Sequence, residues 1–188
     1  MAGAATVSAE TDDMDMHWRQ SPPEGVAVGD IVFRRGKGFW TPFFIDVSQR
    51  EKRFSHVGIV ADVASNTVEI LHSDADERSG VGFVRIQDWR GFFDDTLEGA
   101  VYRYEGSADT RRLFAENGRR KLGVPFDSAF DLTTTNRLYC TEFVRWTINE
   151  SVGRELVGHT PWAGREFVAL DDIYRRGFIK TWDSRDAR

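Results

Sequence analysis

With 188 residues the chain can bury one good core but has little room for a second, and its 40% hydrophobic and 13% aromatic content excludes a disordered protein. A formal charge of -5, from 25 basic against 30 acidic residues, gives no electrostatic basis for binding nucleic acid. One cysteine excludes a disulfide framework and a thiolate-rich zinc site, and the four histidines are scattered, so no metal and no cofactor are expected.

No apolar run approaches the ~20 residues of a membrane-spanning helix. Met1 to Gln20 lacks the basic start and apolar centre of a signal peptide, so the chain as written reads as cytoplasmic, with a secreted or periplasmic form left open. Oligomeric state is not readable. Residues 1–24 are small, polar and acidic and end in Ser21-Pro22-Pro23-Glu24, which predicts a flexible N-terminal arm before a single domain over residues 25–188.

Within that domain Ile31-Val32-Phe33 reads as a strand. The basic cluster Arg34, Arg35 and Lys37 reads as a solvated face. Thr41-Pro42 is a helix start, with Thr41 as cap, and puts Phe44, Val47 and Ser48 on one side. Strands follow at Ser55–Ala61 and Thr67–His72, joined by a turn at Ala64-Ser65-Asn66, and again at Val81–Ile86 and Ala100–Tyr104. The acidic run Ser73 to Glu77 reads as a loop without the spacing of a calcium site. Ser107 caps a helix to about Leu122, closed by Gly123. A second helix runs from Leu138 to Val152 and ends at Gly153. Leu170–Tyr174 is a short helix before a last strand at Phe178–Lys180. Strands come first and helices later, the order of an α+β fold.

Two residues stand out chemically. Cys140 lies at a helix start, where free N–H groups and the helix dipole lower a thiol pKa, and His56 opens an apolar strand with Gly58 two positions on. Each has an ordinary structural explanation by itself; together they are the minimum for an activated thiol.

Five segments occur in one order: Gly29-Asp30-Ile31-Val32-Phe33, Ser55-His56-Val57-Gly58-Ile59-Val60, Ile70-Leu71-His72, Gly123-Val124-Pro125-Phe126-Asp127 and Tyr139-Cys140-Thr141-Glu142-Phe143-Val144. Over about Val26 to Trp146, with an echo at Leu170 to Tyr174, the chain resembles the permuted, NlpC-like branch of papain-fold cysteine peptidases, the YiiX/YebB type, related to the lecithin:retinol acyltransferase group. The resemblance implies a circularly permuted papain-like fold, with an antiparallel sheet packed against the cysteine's helix. Histidine precedes cysteine in that branch, as His56 precedes Cys140 here.

It also implies roles: Cys140 as nucleophile, His56 as base, and a polar residue on the next strand to orient the imidazole. Strand alternation puts Val68, Ile70 and His72 on one face and Glu69 on the other, and His72 is the preferred third residue. Tyr139 is a candidate for the oxyanion hole, and Trp40 and Phe43 for the substrate wall. Asp30 and Asp127 read as turn residues. The implied activity is cysteine-dependent cleavage of an amide in a peptide or cell-wall peptide through a thioester. The alternatives are a lipid acyltransferase or esterase at the same Cys-His-His site, and a catalytically silent binding module.

Overall fold

The computed structural model describes residues 17–64, 67–76, 78–134 and 136–186. Residues 1–16 of the expected arm, and Ser65 and Asn66 of the expected turn, lie outside the described residues.

The apolar run after Asp30 forms β1 (Ile31–Arg35), where Ile31 and Phe33 enter one hydrophobic cluster and Val32 the other. A run without polar alternation is what a strand covered on both faces requires. β2 (His56–Ala64), β3 (Thr67–Ala75) and β4 (Gly82–Asp88) follow as a meander. With β5 (Glu98–Tyr104) and β8 (Phe178–Asp183) they make a six-stranded antiparallel sheet in the order β4-β3-β2-β1-β5-β8.

One face packs on α3 (Ala108–Arg119) and α4 (Cys140–Val152), through Phe114, Phe143, Val144 and Ile148. The other is covered by Trp89, Phe92 and Phe93, from and just after α2 (Trp89–Phe92), and by Trp18. Trp18 is 8% exposed, its carbonyl accepts from Trp89 Nε1 at 2.8 Å, and its ring meets Phe93 and Trp182. Trp18, inside the expected arm, is therefore packed on this face of the sheet.

Three other expectations change. Helix α1 (Thr41–Val47) has Trp40 in the N-cap position with no side-chain cap bond, and the Thr41 hydroxyl donates to Ser55 Oγ at 3.2 Å instead. The acidic segment is not a loop from Ser73: β3 continues to Ala75, paired to β4. A small hairpin, β6 (Thr160–Trp162) and β7 (Arg165–Phe167), precedes α5 (Leu170–Ile173) and carries no strong strand signal in the sequence. Ser107 caps α3 as expected, accepting from Thr110 N at 3.1 Å. Asp30 and Asp127 accept backbone N–H groups in turns.

The start of α4 is fixed from several directions. Tyr139 is the extended cap residue, and its N–H donates to Glu142 Oε2 at 3.3 Å. Ser73 Oγ on β3 donates to Leu138 O at 2.5 Å, and Thr141 Oγ1 donates to Val168 O at 2.6 Å. Gly153, at φ 67°, closes the helix in the left-handed conformation that glycine adopts without strain. The first turn, with Cys140 at its start, is thereby held against the sheet.

Candidate active site

At one end of the sheet, β1, β2 and β3 bring Arg34, His56, Asp74 and Ala75 around a cavity of about 150 Å³, with Ser55 just ahead of β2. Cys140 lines the same cavity from α4, and Trp40, Phe44 and Phe126 supply its aromatic wall. Ser55 Oγ fixes the rim: it accepts from Gly36 N at 3.0 Å and from the Thr41 hydroxyl, tying the glycine-flanked loop to the start of β2.

His56 Nε2 lies 2.8 Å from His72 Nδ1, with the two rings edge-on at 84°. Phe92 packs against both rings, at centroid distances of 5.5 and 5.2 Å. His72 is fully buried, with the Gln87 side chain as a further hydrogen-bonding neighbour. The alternation works as expected: Val68 and Ile70, two residues apart like His72, also pack on the Phe92 side, while Leu71 packs on the helix side. Glu69 pairs instead with Arg119 at 3.3 Å, on the outer part of the strand. A β-bulge between Val60 and Asp62 shifts the pairing there without disturbing Ile59 opposite Leu71.

Cys140 and His56 share the cavity wall, but no sulfur–imidazole hydrogen bond joins them among the described residues. Burial pushes the Cys140 thiol up to about 12, reinforced by Asp74 and opposed by the Thr141 N–H and Arg34. The expectation of a lowered thiol pKa is therefore reversed: the helix start is present, but the thiol beside it is buried. Burial, with Arg34, holds His56 well below its ordinary value, and burial brings His72 down to about 3. Burial opposes the charge of Asp74, yet His56, His72, Arg34 and Arg85 outweigh it and keep the carboxyl at about 2. The resting site thus holds a neutral thiol, two neutral imidazoles and one carboxylate, the last held by Arg85 at 2.6 Å.

The other residues singled out from sequence are placed as follows. Trp40 lines the cavity. Phe43 does not: it packs into an aromatic group with Phe130, Trp162 and Phe167, and Phe44 takes the wall position beside Trp40. Tyr139 is buried, and its hydroxyl accepts from Val168 N at 2.9 Å, so the phenol is committed to the core rather than to an oxyanion. Arg34 and Asp74 belong to the site although sequence reading placed them on a solvated face and in a loop. For Asp74 a signal existed: it lies two residues after His72, on the same face of the strand. His56, His72 and Asp74 each place a ligand-type atom within 4.8 Å of the others, a set capable of holding a metal ion where none was expected.

The comparisons agree with this architecture. A crystal structure described as that of metalloprotein YiiX from Escherichia coli O157:H7 (DUF1105) superposes with a TM-score of 0.67 at 15% identity, covering 82% of this chain and 96% of that one. At that identity the likeness speaks for the fold. No curated protein matches this chain in sequence. The model of the family described as permuted papain-like amidase enzyme, YaeF/YiiX, C92 family, matches residues 25–159, well over half of the chain, including His56, His72 and Cys140. The chain is thus a member of the permuted papain-like amidase family, the YaeF/YiiX or C92 family, and a cysteine hydrolase of amidase type.

Proposed function

We propose that this enzyme cleaves an amide bond in a peptide-type substrate, with Cys140 as nucleophile, His56 as base and His72 as the residue that orients His56. The observation that carries this reading is the 2.8 Å contact between His56 Nε2 and His72 Nδ1 beside a cavity that Cys140 also lines.

The contact constrains the tautomers. To take the thiol proton on Nδ1, His56 must carry its own proton on Nε2, which it donates to His72 Nδ1; His72 is then protonated on Nε2. Attack forms the Cys140 Sγ–carbon bond as the thiol proton moves to His56. The carbonyl oxygen takes the negative charge, opposite the N–H groups at the start of α4. His56 next protonates the leaving amine, the C–N bond breaks, and a thioester remains. Water, deprotonated by His56, hydrolyses it to the acid and restores the thiol. In both half-reactions Asp74 stabilises the imidazolium that forms.

The cavity argues for a peptide over a lipid. Its rim carries Arg34, Lys37, Asp74, Asp94 and Asp95. Charged groups there suit a polar amide substrate better than a long acyl chain. The test is hydrolysis of a panel of short peptides and cell-wall peptide fragments, with mass spectrometry for the acyl-enzyme. Cys140→Ala and His56→Ala should abolish turnover, His72→Ala should lower kcat steeply, and Glu69→Ala should stay near wild type. Turnover that survives Cys140→Ala would end the reading, and loss at Glu69 with retention at His72 would reassign the third residue.

A further inference from the structure

We infer that His56, His72 and Asp74 form a site for a divalent transition-metal ion of the zinc class, and that its occupation turns the thiol chemistry off. Binding follows from the cluster itself; only the inhibition rests on the function proposed above.

The donors are two imidazoles and one carboxylate, with their ligand-type atoms mutually within 4.8 Å. Zinc binds nitrogen at ~2.0–2.1 Å in tetrahedral geometry, which sets two ligating nitrogens about 3.3 Å apart. His56 Nε2 and His72 Nδ1 already face each other at 2.8 Å, so an ion needs them to open by only about half an ångström. Asp74 is preorganised, since Arg85 Nη2 holds its Oδ2 at 2.6 Å and leaves Oδ1 available. Three protein ligands leave a fourth position for water, on a cavity that Cys140 also lines.

The donor set also selects the ion. Calcium and magnesium call for six or more oxygens, whereas two imidazoles suit zinc, copper or nickel. The nearby guanidinium groups of Arg34 and Arg85 work against any cation. That opposition keeps the affinity moderate and the ion reversible.

Inhibition follows from proton placement. Ligation through Nε2 needs a lone pair there, so His56 must move its proton from Nε2 to Nδ1, with no change in charge. That nitrogen can then no longer accept the thiol proton. The ion replaces the one hydrogen bond that sets the active tautomer.

The experiment uses the full chain, stripped with a chelator and titrated with zinc by calorimetry, with the absorption spectrum of cobalt as a report on coordination. The parent and Cys140→Ser should each bind one zinc with similar affinity and give a tetrahedral cobalt spectrum. Asp74→Asn should bind about 10–100-fold more weakly, and His72→Ala at least as weakly. Calcium and magnesium should not compete. Asp74→Asn is nearly isosteric and decides the matter if His72→Ala fails to fold. No binding up to millimolar zinc, unchanged affinity in Asp74→Asn, or loss of binding in Cys140→Ser would each overturn the site. Because binding is read in Cys140→Ser, a failure of the proposed hydrolysis leaves this test intact. Zinc that binds without slowing peptide cleavage would overturn the inhibition alone.

Discussion

Gly58 offers a quantitative test of how tightly fold and site are joined. It lies two residues after His56, and a Cβ built there meets Ile70 Cγ2 at 2.5 Å, Leu71 O at 3.0 Å and Phe92 Cε2 at 3.1 Å. Ile70 and Phe92 are both fully buried, so neither side chain has free space to retreat into. Overpacking of this kind costs about 1–3 kcal/mol. Against it, alanine in place of glycine in a strand recovers roughly 0.5–1 kcal/mol of backbone entropy. Gly58→Ala should therefore cost up to about 2.5 kcal/mol net. For a domain of this size that lowers the melting temperature by up to about 10 °C. The matched control is Gly158→Ala, where no atom lies within 4 Å of the added carbon and stability should hold or rise slightly. The displaced Phe92 packs on both histidine rings, so peptide hydrolysis should fall by more than the folded fraction does. Thermal melts of the two variants, with activity measured well below both transitions, supply the comparison. A Gly58→Ala protein as stable as Gly158→Ala would refute the claim that the strand glycine is there for close approach.

Two further outcomes follow from the electrostatics. In chelator-treated protein, iodoacetamide should alkylate Cys140 barely at all at pH 6, and the rate should still be rising above pH 8, because the folded thiol is held up to about 12; a rate already flat from pH 5 would mean a resting thiolate. Arg53 is 3% exposed and grips Asp183 through both terminal nitrogens, at 2.7 and 2.5 Å, and Glu98 through Nε at 2.6 Å. Asp183→Asn should cost about 1.5–3 kcal/mol at neutral pH, since Arg53 keeps its bond to Glu98. Asp183 is held below its ordinary value by Arg53 and Lys180, which outweigh burial, so its contribution is present above about pH 4 and lost as pH falls further. The gap in urea midpoint between variant and parent should narrow from pH 7 to pH 3 without closing, because the folded carboxyl stays ionised at pH 3; an equal gap at both pH values would place the effect elsewhere.

What the sequence made legible was local or repetitive. His72 could be chosen over Glu69 because side chains alternate along a strand whatever surrounds it, and the bulge at Val60–Asp62 falls beyond the segment that matters. Gly153 and Ser107 end and start helices through contacts within a few residues. The misses depend on partners far along the chain. Tyr139 is claimed by Val168, 29 residues on; the Thr41 hydroxyl by Ser55; and Trp18 by Trp89, 71 residues away. Phe43 and Phe44 are adjacent, and only the packing of Phe130, Trp162 and Phe167 decides which ring is left to the cavity.

The thiol shows the same division in its energetics. A helix start favours an anion by at most about 2 kcal/mol, and that much was visible in Tyr139-Cys140-Thr141-Glu142. Burial comes from Phe44, Phe126 and the strand ends, none of them near Cys140 in sequence. Net of the helix start, it lifts the thiol from 9.0 to about 12, or roughly 4 kcal/mol against the anion, so burial wins. The histidines move the other way, and both shifts disfavour a thiolate–imidazolium pair at rest. The reactive form is then the neutral pair, and neither partner titrates near neutrality. The metal-free enzyme should accordingly show kcat/KM nearly flat from about pH 6 to pH 9, where a preformed ion pair gives a bell. Asp74→Asn removes the one charge that favours the imidazolium formed during attack, so it should lower kcat across that plateau without tilting it. A bell centred near neutrality in the wild type would show that the site ionises before substrate arrives, and the account of this cysteine as a buried, neutral thiol would be wrong.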